Sequence, residues 1–345
     1  MLSFTRRELE AHTRPLCTPG QYRIKLQNYE SIEKSFAERA EHCGGLPVIL
    51  HVEPSGNCSL ACPICPRGRG LIERTGLLSL DAFQRFFDPL SETLSNMIIS
   101  GFGEPLLNRD VTRMIGLTGK LGIATLMNTN GTALLERVGE ILDSRLTRIN
   151  VSMDGAVSRS CHRYTVKNPF SKVVQGVERL RTEKDKGNYT YPAIRGQFIV
   201  TVETVDEVES LRNWGMGIGL EEVNFKRQHE IMPGERERDE IFAGTDPMEI
   251  VRAGKVVSEE RLHWAPSDCT HPWDSLFLSC TGEVGICSFD PYLSVRGLDH
   301  GSDFAALWNG DAMKGVRRWH AGGNTIVQAP CSKCNRLPGY LVPGS

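Results

Sequence analysis

From residue 47 onward the chain alternates short apolar runs with longer amphipathic ones, and this rhythm restricts the fold more than any other feature. VILHVE, NMIISGFG, IATLMNTN, LTRINVSMDG, IRGQFIVTV and EVNFKRQ have the length and side-chain content of strands. Between them LDAFQRFFDPL, DVTRMIGLTGKLG, ALLERVGEILDS, SKVVQGVERLRTEK and DEVESLRNWGM carry helical periodicity. Such alternation implies right-handed crossovers around a parallel sheet, hence an α/β class. Six units over about 180 residues make up three quarters of an eight-unit barrel, so a partial (β/α)6, TIM-like barrel is expected for residues 47–230. In such sheets reactive groups gather at the C-terminal ends of the strands.

The flanks read differently. Residues 1–46 are charged and irregular, with helical potential around SIEKSFAERAEHC, and are expected to form a lead-in segment. After MPGERERDE the text becomes short strands, turns and cysteines, which predicts a smaller domain over 231–345. Lys and Arg number 40 against 42 Asp and Glu, so the chain lacks the positive excess that phosphate backbones select, and no nucleic-acid partner is expected. No secretory-type apolar core opens the sequence, and runs such as LPVILHV fall short of a membrane span, so a cytoplasmic location without membrane partners is expected. Eleven cysteines in a long chain kept reduced point to metal or redox chemistry rather than disulfides.

Directly after the first strand, HVEPSGNCSLACPICPRG places Cys58, Cys62 and Cys65 in a C-x3-C-x2-C loop. Three thiolates can hold three irons of a 4Fe-4S cube and leave the fourth open, whereas a structural zinc site wants a fourth ligand that this loop lacks. With this loop the sequence resembles the radical S-adenosylmethionine (SAM) superfamily over roughly 47–230. The resemblance implies a SAM molecule chelated on the open iron and a 5'-deoxyadenosyl radical that abstracts hydrogen from a small-molecule substrate, with flavodoxin or ferredoxin as reductant. Ile64 stands where that family usually has an aromatic residue, leaving apolar contact with adenine but no stacking.

Further motifs agree with the resemblance. GFGEPLLN, after the second strand, resembles the family's GGEP segment: Gly101 and Gly103 would permit close backbone approach to a ligand, and Glu104 or nearby carbonyls would accept from the SAM ammonium. NVSMDG ends the fourth strand, and Ser152 and Asp154 are expected at the same mouth. Arg163 resembles the arginine that pairs with the SAM carboxylate; a solvated surface arginine is the alternative. The NTNG turn, Asn128 to Gly131, reads as an ordinary strand-to-helix cap. Cys161, in SRSCHRY, is a candidate hydrogen-atom donor to a substrate radical.

The tail resembles the Twitch domain, the shortened relative of the SPASM domain, which implies a second 4Fe-4S cluster. LFLSC-TG-EVGIC reads as a hairpin turning at Thr281-Gly282, which sets Cys287 roughly 13 Å from Cys280 at about 3.3 Å per residue, too far for one cube. Cys269, Cys287, Cys331 and Cys334 are therefore the expected ligands, with a four-thiolate zinc site as the alternative. Within this resemblance the expected reaction is two-electron oxidation of a sugar-like or aminocyclitol alcohol. Alternatives are epimerisation of such a substrate with Cys161 as hydrogen donor, peptide maturation, for which residues 1–46 are short as a leader-binding module, and a non-catalytic metal-binding scaffold.

Overall fold

The computed structural model describes residues 4–62, 65–153, 170–200, 207–227, 269–286 and 304–322. Its strands are β1 Ile49–Val52, β2 Asn96–Ile99, β3 Ala124–Thr129, β4 Arg148–Ser152, β5 Ala193–Val200, β6 Glu222–Arg227, β7 Ser275–Leu278 and β8 Val284–Gly285. They form one sheet in the order β6-β5-β4-β3-β2-β1-β7-β8. Every neighbouring pair is parallel except β7 with β8. The helices are α1 Pro19–Ala37, α2 Leu80–Phe87, α3 Val111–Gly119, α4 Leu134–Asp143, α5 Phe170–Lys186, α6 Val208–Gly217, α7 His271–Asp274, α8 Phe304–Trp308 and α9 Asp311–His320. Six parallel strands in chain order, each joined to the next through helix-bearing segments, are the α/β partial barrel that the sequence predicts.

Side-chain alternation gives the sheet two chemistries. Leu50, Val52, Met97, Ile99, Met127, Ile149, Val151, Ile194 and Phe198 lie in matched rows across the register. They join one apolar core with Met114, Ile115, Val138, Ile141, Val177 and Leu180 of the helices. The opposite rows line the concave side of the sheet and are largely polar: His51, Asn128, Arg148, Asn150, Ser152, Arg195, Gln197 and Asn224. A parallel barrel normally fills this side with branched apolar residues, so the polar lining marks a working surface.

Residues 4–46 carry more regular structure than their composition suggests. Thr18 and Gln21 form a capping box around Pro19, with reciprocal hydrogen bonds of 3.3 and 2.9 Å. The nineteen-residue α1 buries Tyr29, Ile32 and Phe36, and Phe36 meets Trp273 edge-on at 5.4 Å. Asn28 in α1 holds the entry to β1 by accepting from Leu46 N and donating to Leu46 O, both at 2.8 Å. Helices α8 and α9 seal the same corner: Trp308 Nε1 donates to Gly45 O at 2.7 Å and Arg317 Nε to Pro272 O at 2.8 Å.

The β7–β8 hairpin turns where the sequence predicts, with Gly282 at φ +83. It does not stand apart from the barrel, however, because β7 pairs along the whole of β1. The expected boundary between residues 230 and 231 lies outside the described residues. Among the described residues no helix is long and apolar enough to cross a membrane.

Candidate active site

Beyond Val52 the chain leaves the sheet as a narrow ribbon. Residues 53–57 run out and 74–78 return, joined by Gly56 N to Gly76 O, Leu78 N to Pro54 O, both 2.9 Å, and the Ser55–Leu77 bridge. Asn108 clamps the base, its side-chain amide donating to Pro54 O at 2.7 Å and Leu78 O at 2.8 Å. The tip of this ribbon is the cysteine loop. Cys65 N bonds Cys62 O at 3.0 Å and Arg69 N bonds Cys65 O at 3.0 Å, so the loop coils on itself. A side chain at Gly68 would collide with the Cys62 backbone, which explains the small residue there.

Two buried acids sit at this joint: the Glu53 carboxylate ties the ribbon to the end of β2, and the Glu104 carboxylate ties the segment after β2 to the end of β3. Glu53, with its side chain 1% exposed, accepts from Phe102 N at 2.7 Å and from Arg74 Nε at 2.6 Å. The Arg74 guanidinium lies 5.3 Å from the Phe102 ring centroid and 5.7 Å from that of Phe277. Glu104 is fully buried and accepts from Thr129 Oγ1 at 2.6 Å, Asn130 N at 2.7 Å and Leu106 N at 3.0 Å. Burial pushes its carboxyl pKa up, and these three donors pull it back. Its own N–H donates to Asn57 O at 2.7 Å, next to Cys58.

Gly101 and Gly103 act in the same joint. A Cβ on Gly101 would strike the Glu53 side chain, and one on Gly103 would overlap Ser55 O. The close approach expected of these glycines is thus made, among the described residues, to the β1 ribbon. Glu53 and Arg74 belong to no motif that the sequence marks as a site, and Asn130 reads there as part of an ordinary strand-to-helix cap. The buried acid directly after an apolar strand was the available signal for Glu53, while Arg74 is distant from it in the motif and carries no pattern of its own.

Cys58, Cys62 and Cys65 are all half-buried at the ribbon tip. Burial pushes the Cys58 thiol up, Leu60 N–H and the Asn130 amide oppose this, and Glu104 and Cys65 add to it by their charge. Among the described residues no three His, Cys, Asp or Glu side chains surround a single point tightly enough to hold an ion. The donor set itself suits an iron-sulfur cube: three thiols on one short loop, of which Cys58 already receives N–H hydrogen bonds from Leu60 at 3.5 Å and Asn130 at 3.6 Å. Cys269 is buried before α7, and Cys280 at the hairpin end is pushed up to about 12 by burial and by the charge of Glu53. Ile64, Asp154, Cys161, Arg163, Cys287, Cys331 and Cys334 lie outside the described residues.

Below the ribbon, Ser152 ends β4 on the concave side, in register with Gln197. One layer deeper Asn150 donates to Asn128 Oδ1 at 2.9 Å. The acceptor oxygens Asn150 Oδ1 and Gln197 Oε1 are buried without a hydrogen-bond partner among the described residues. Register places both residues on the same side of the sheet as Ser152.

Comparison with known proteins agrees with this geometry. The chain is 33% identical to GTP 3',8-cyclase of Aeromonas hydrophila subsp. hydrophila over 129 residues, 35% of this chain and 38% of that protein. It is 26% identical to the enzyme of the same name from Rhodopseudomonas palustris over 214 residues, 59% of this chain and 58% of the relative. The chain therefore spans between about two fifths and three fifths of these relatives. Among solved structures, Streptococcus suis SuiB bound to S-adenosylmethionine superposes with a TM-score of 0.61 at 14% identity, covering 88% of this chain and 74% of SuiB. Native anSMEcpe with bound AdoMet gives 0.56 at 16% identity, covering 84% and 87%. Residues 52–208 match the Radical SAM superfamily. The cysteine ribbon and the strand ends that clamp it lie within the residues that match the Radical SAM superfamily.

Proposed function

We propose that this domain holds a 4Fe-4S cluster on Cys58, Cys62 and Cys65, binds SAM beside it, and abstracts hydrogen from a sugar-like or aminocyclitol alcohol in a two-electron oxidation. When bound, the cluster and SAM supply a 5'-deoxyadenosyl radical. The chain's own residues do the rest. Glu53 and Glu104 fix the cysteine loop over the strand ends. Ser152 and the unspent oxygens of Asn150 and Gln197 offer positions for substrate hydroxyl and amino hydrogens. That pair of acceptors, without a donor among the described residues, is the observation that supports the substrate class: a buried carbonyl oxygen left so costs about 1–3 kcal/mol, which a polyol or amine would relieve. In this reading Cys269, Cys287, Cys331 and Cys334 hold a second cluster that takes up the second electron.

Cyclisation of a nucleotide is the second reading, favoured by the similarity to the GTP 3',8-cyclases. One assay separates the two. The anaerobically reconstituted chain is given SAM, reductant and either an aminocyclitol such as 2-deoxystreptamine, myo-inositol or GTP, and 5'-deoxyadenosine is measured with the product mass. Loss of two hydrogens from an alcohol with stoichiometric 5'-deoxyadenosine supports oxidation. Turnover of GTP alone selects cyclisation. If the Cys58→Ala, Cys62→Ala, Cys65→Ala variant still forms 5'-deoxyadenosine, the cluster assignment is wrong.

A further inference from the structure

The NTNG turn after β3 contains a hydrogen-bond ring that a helix cap does not require. Asn130 Oδ1 accepts from Thr132 N at 2.9 Å and from Thr132 Oγ1 at 2.8 Å. Ser59 Oγ, on the cysteine loop, lies 2.7 Å from Thr132 Oγ1, and Asn130 Nδ2 lies 3.2 Å from Ser59 Oγ and 3.6 Å from Cys58 Sγ.

The proton inventory fixes this arrangement. Thr132 has one hydroxyl hydrogen, which goes to Asn130 Oδ1, so the short contact with Ser59 uses the Ser59 hydrogen. Ser59 Oγ is then an acceptor and takes one hydrogen of the Asn130 amide. The second amide hydrogen is left for Cys58 Sγ. Rotating the amide by half a turn would set its NH2 against the Thr132 N–H, donor against donor, so the orientation follows from the ring.

The residue is also held from behind. Its own N–H donates to Glu104 at 2.7 Å, and Gly131, at φ +73, packs so that a Cβ would come within 2.7 Å of Val173 and 2.9 Å of Val151. An Asx turn accounts for the carbonyl end of Asn130. It leaves the amino end, the part aimed at sulfur, without explanation.

We infer that Asn130 is a positioning residue for the cluster, whose carboxamide donates to Cys58 Sγ and raises the cluster's reduction potential. The inference rests on the reading above that Cys58 is a cluster ligand. Its physical basis is charge: one-electron reduction adds a negative charge shared by the thiolates, and a fixed N–H dipole pointed at one of them favours the reduced state. Cys58 then has two donors, the Asn130 amide and Leu60 N–H, the latter set by the loop's own backbone.

The test is potentiometry on the full reconstituted chain, following the electron paramagnetic resonance signal that changes when SAM is added, which identifies the SAM-binding cluster. Asn130→Asp keeps both hydrogen bonds from Thr132, removes the donor and sets an acceptor against sulfur. Its midpoint is expected to move to a more negative potential, and Asn130→Ala to move less in the same direction. Ser59→Ala, which removes an alcohol but not the amide donor, is expected to titrate with the unaltered chain. An Asp or Ala variant whose loaded clusters titrate at the unaltered potential overturns the inference, even if fewer chains carry a cluster, because a purely structural residue changes loading and not potential. Absence of any SAM-responsive signal in the unaltered chain would instead overturn the cluster reading on which this stands.

Discussion

The Glu53–Arg74 pair tests whether the ribbon is held by a buried charge joint. Side-chain exposures of 1% and 9% place both groups out of bulk water, and Arg74 is joined at 2.6 Å. Removing one partner of such a pair costs about 3–5 kcal/mol, because the other charge is left buried. Arg74→Met, which keeps much of the volume beside Phe102 and Phe277, should therefore lose about 3–5 kcal/mol. Glu53→Gln retains an acceptor for Phe102 N but removes the carboxylate charge beside the guanidinium, and should lose about 2–4 kcal/mol, slightly less than the arginine variant. The double variant buries no charge and should recover part of the sum, with a coupling energy of about 2 kcal/mol. Urea unfolding of the cluster-free chain reads all three, so that metal binding does not enter the comparison. Additivity within about 0.5 kcal/mol would refute the argument, since it would mean that the two groups are solvated independently.

Three other expectations follow from the same structure. Lys25 is wholly buried, its ammonium donating to Leu94 O and to Glu92 O, and burial lowers its pKa to about 8. A folded pKa below the unfolded value means that the charged form is penalised below about pH 8, and that stability is regained as pH rises towards the unfolded pKa. Relative to Lys25→Met, the unaltered chain should gain about 2 kcal/mol between pH 7.5 and 10, and equal slopes in parallel urea titrations would contradict this. Gly103→Ala forces backbone against Ser55 O and Asn57 O, so a loss of about 1–3 kcal/mol with impaired cluster loading is expected, and normal iron content and melting would count against the joint. Replacing Cys269, Cys287, Cys331 and Cys334 by Ala should lower iron from about eight to about four per chain, and an unchanged iron content would dismiss the second cluster.

The barrel was legible because its signals are local. Each of the six strand runs carries its own apolar alternation, and helices such as LDAFQRFFDPL begin at a capping Ser79 that donates no side chain to the core. The turn of the last hairpin could be read from Thr281-Gly282 for the same reason. What escaped was long-range. Nothing in SLFL announces that it pairs with ILHV at the open side of β1, since register between distant parallel strands leaves no mark in either segment. The structure of residues 4–46 was hidden by composition: α1 buries Lys25, Asn28 and Ser35 beside Tyr29 and Phe36, which blurs its apolar stripe.

The site shows the same division. The cysteine triplet and GFGEP were visible as motifs, but their meaning depends on partners that sit elsewhere in the chain. Glu104 illustrates the point. A carboxylate offers about four acceptor directions, and three are taken by Thr129, Asn130 and Leu106. One direction remains, so anchoring the ribbon and accepting a ligand ammonium are compatible roles for the same group. For Gly101 and Gly103, by contrast, the atoms nearest to an added Cβ all belong to the β1 ribbon, and packing against it requires their smallness. The acid of the motif meets the ribbon through its backbone, its N–H holding the Asn57 carbonyl one residue from the first cysteine, so a ligand bound at Glu104 would also bear on that joint.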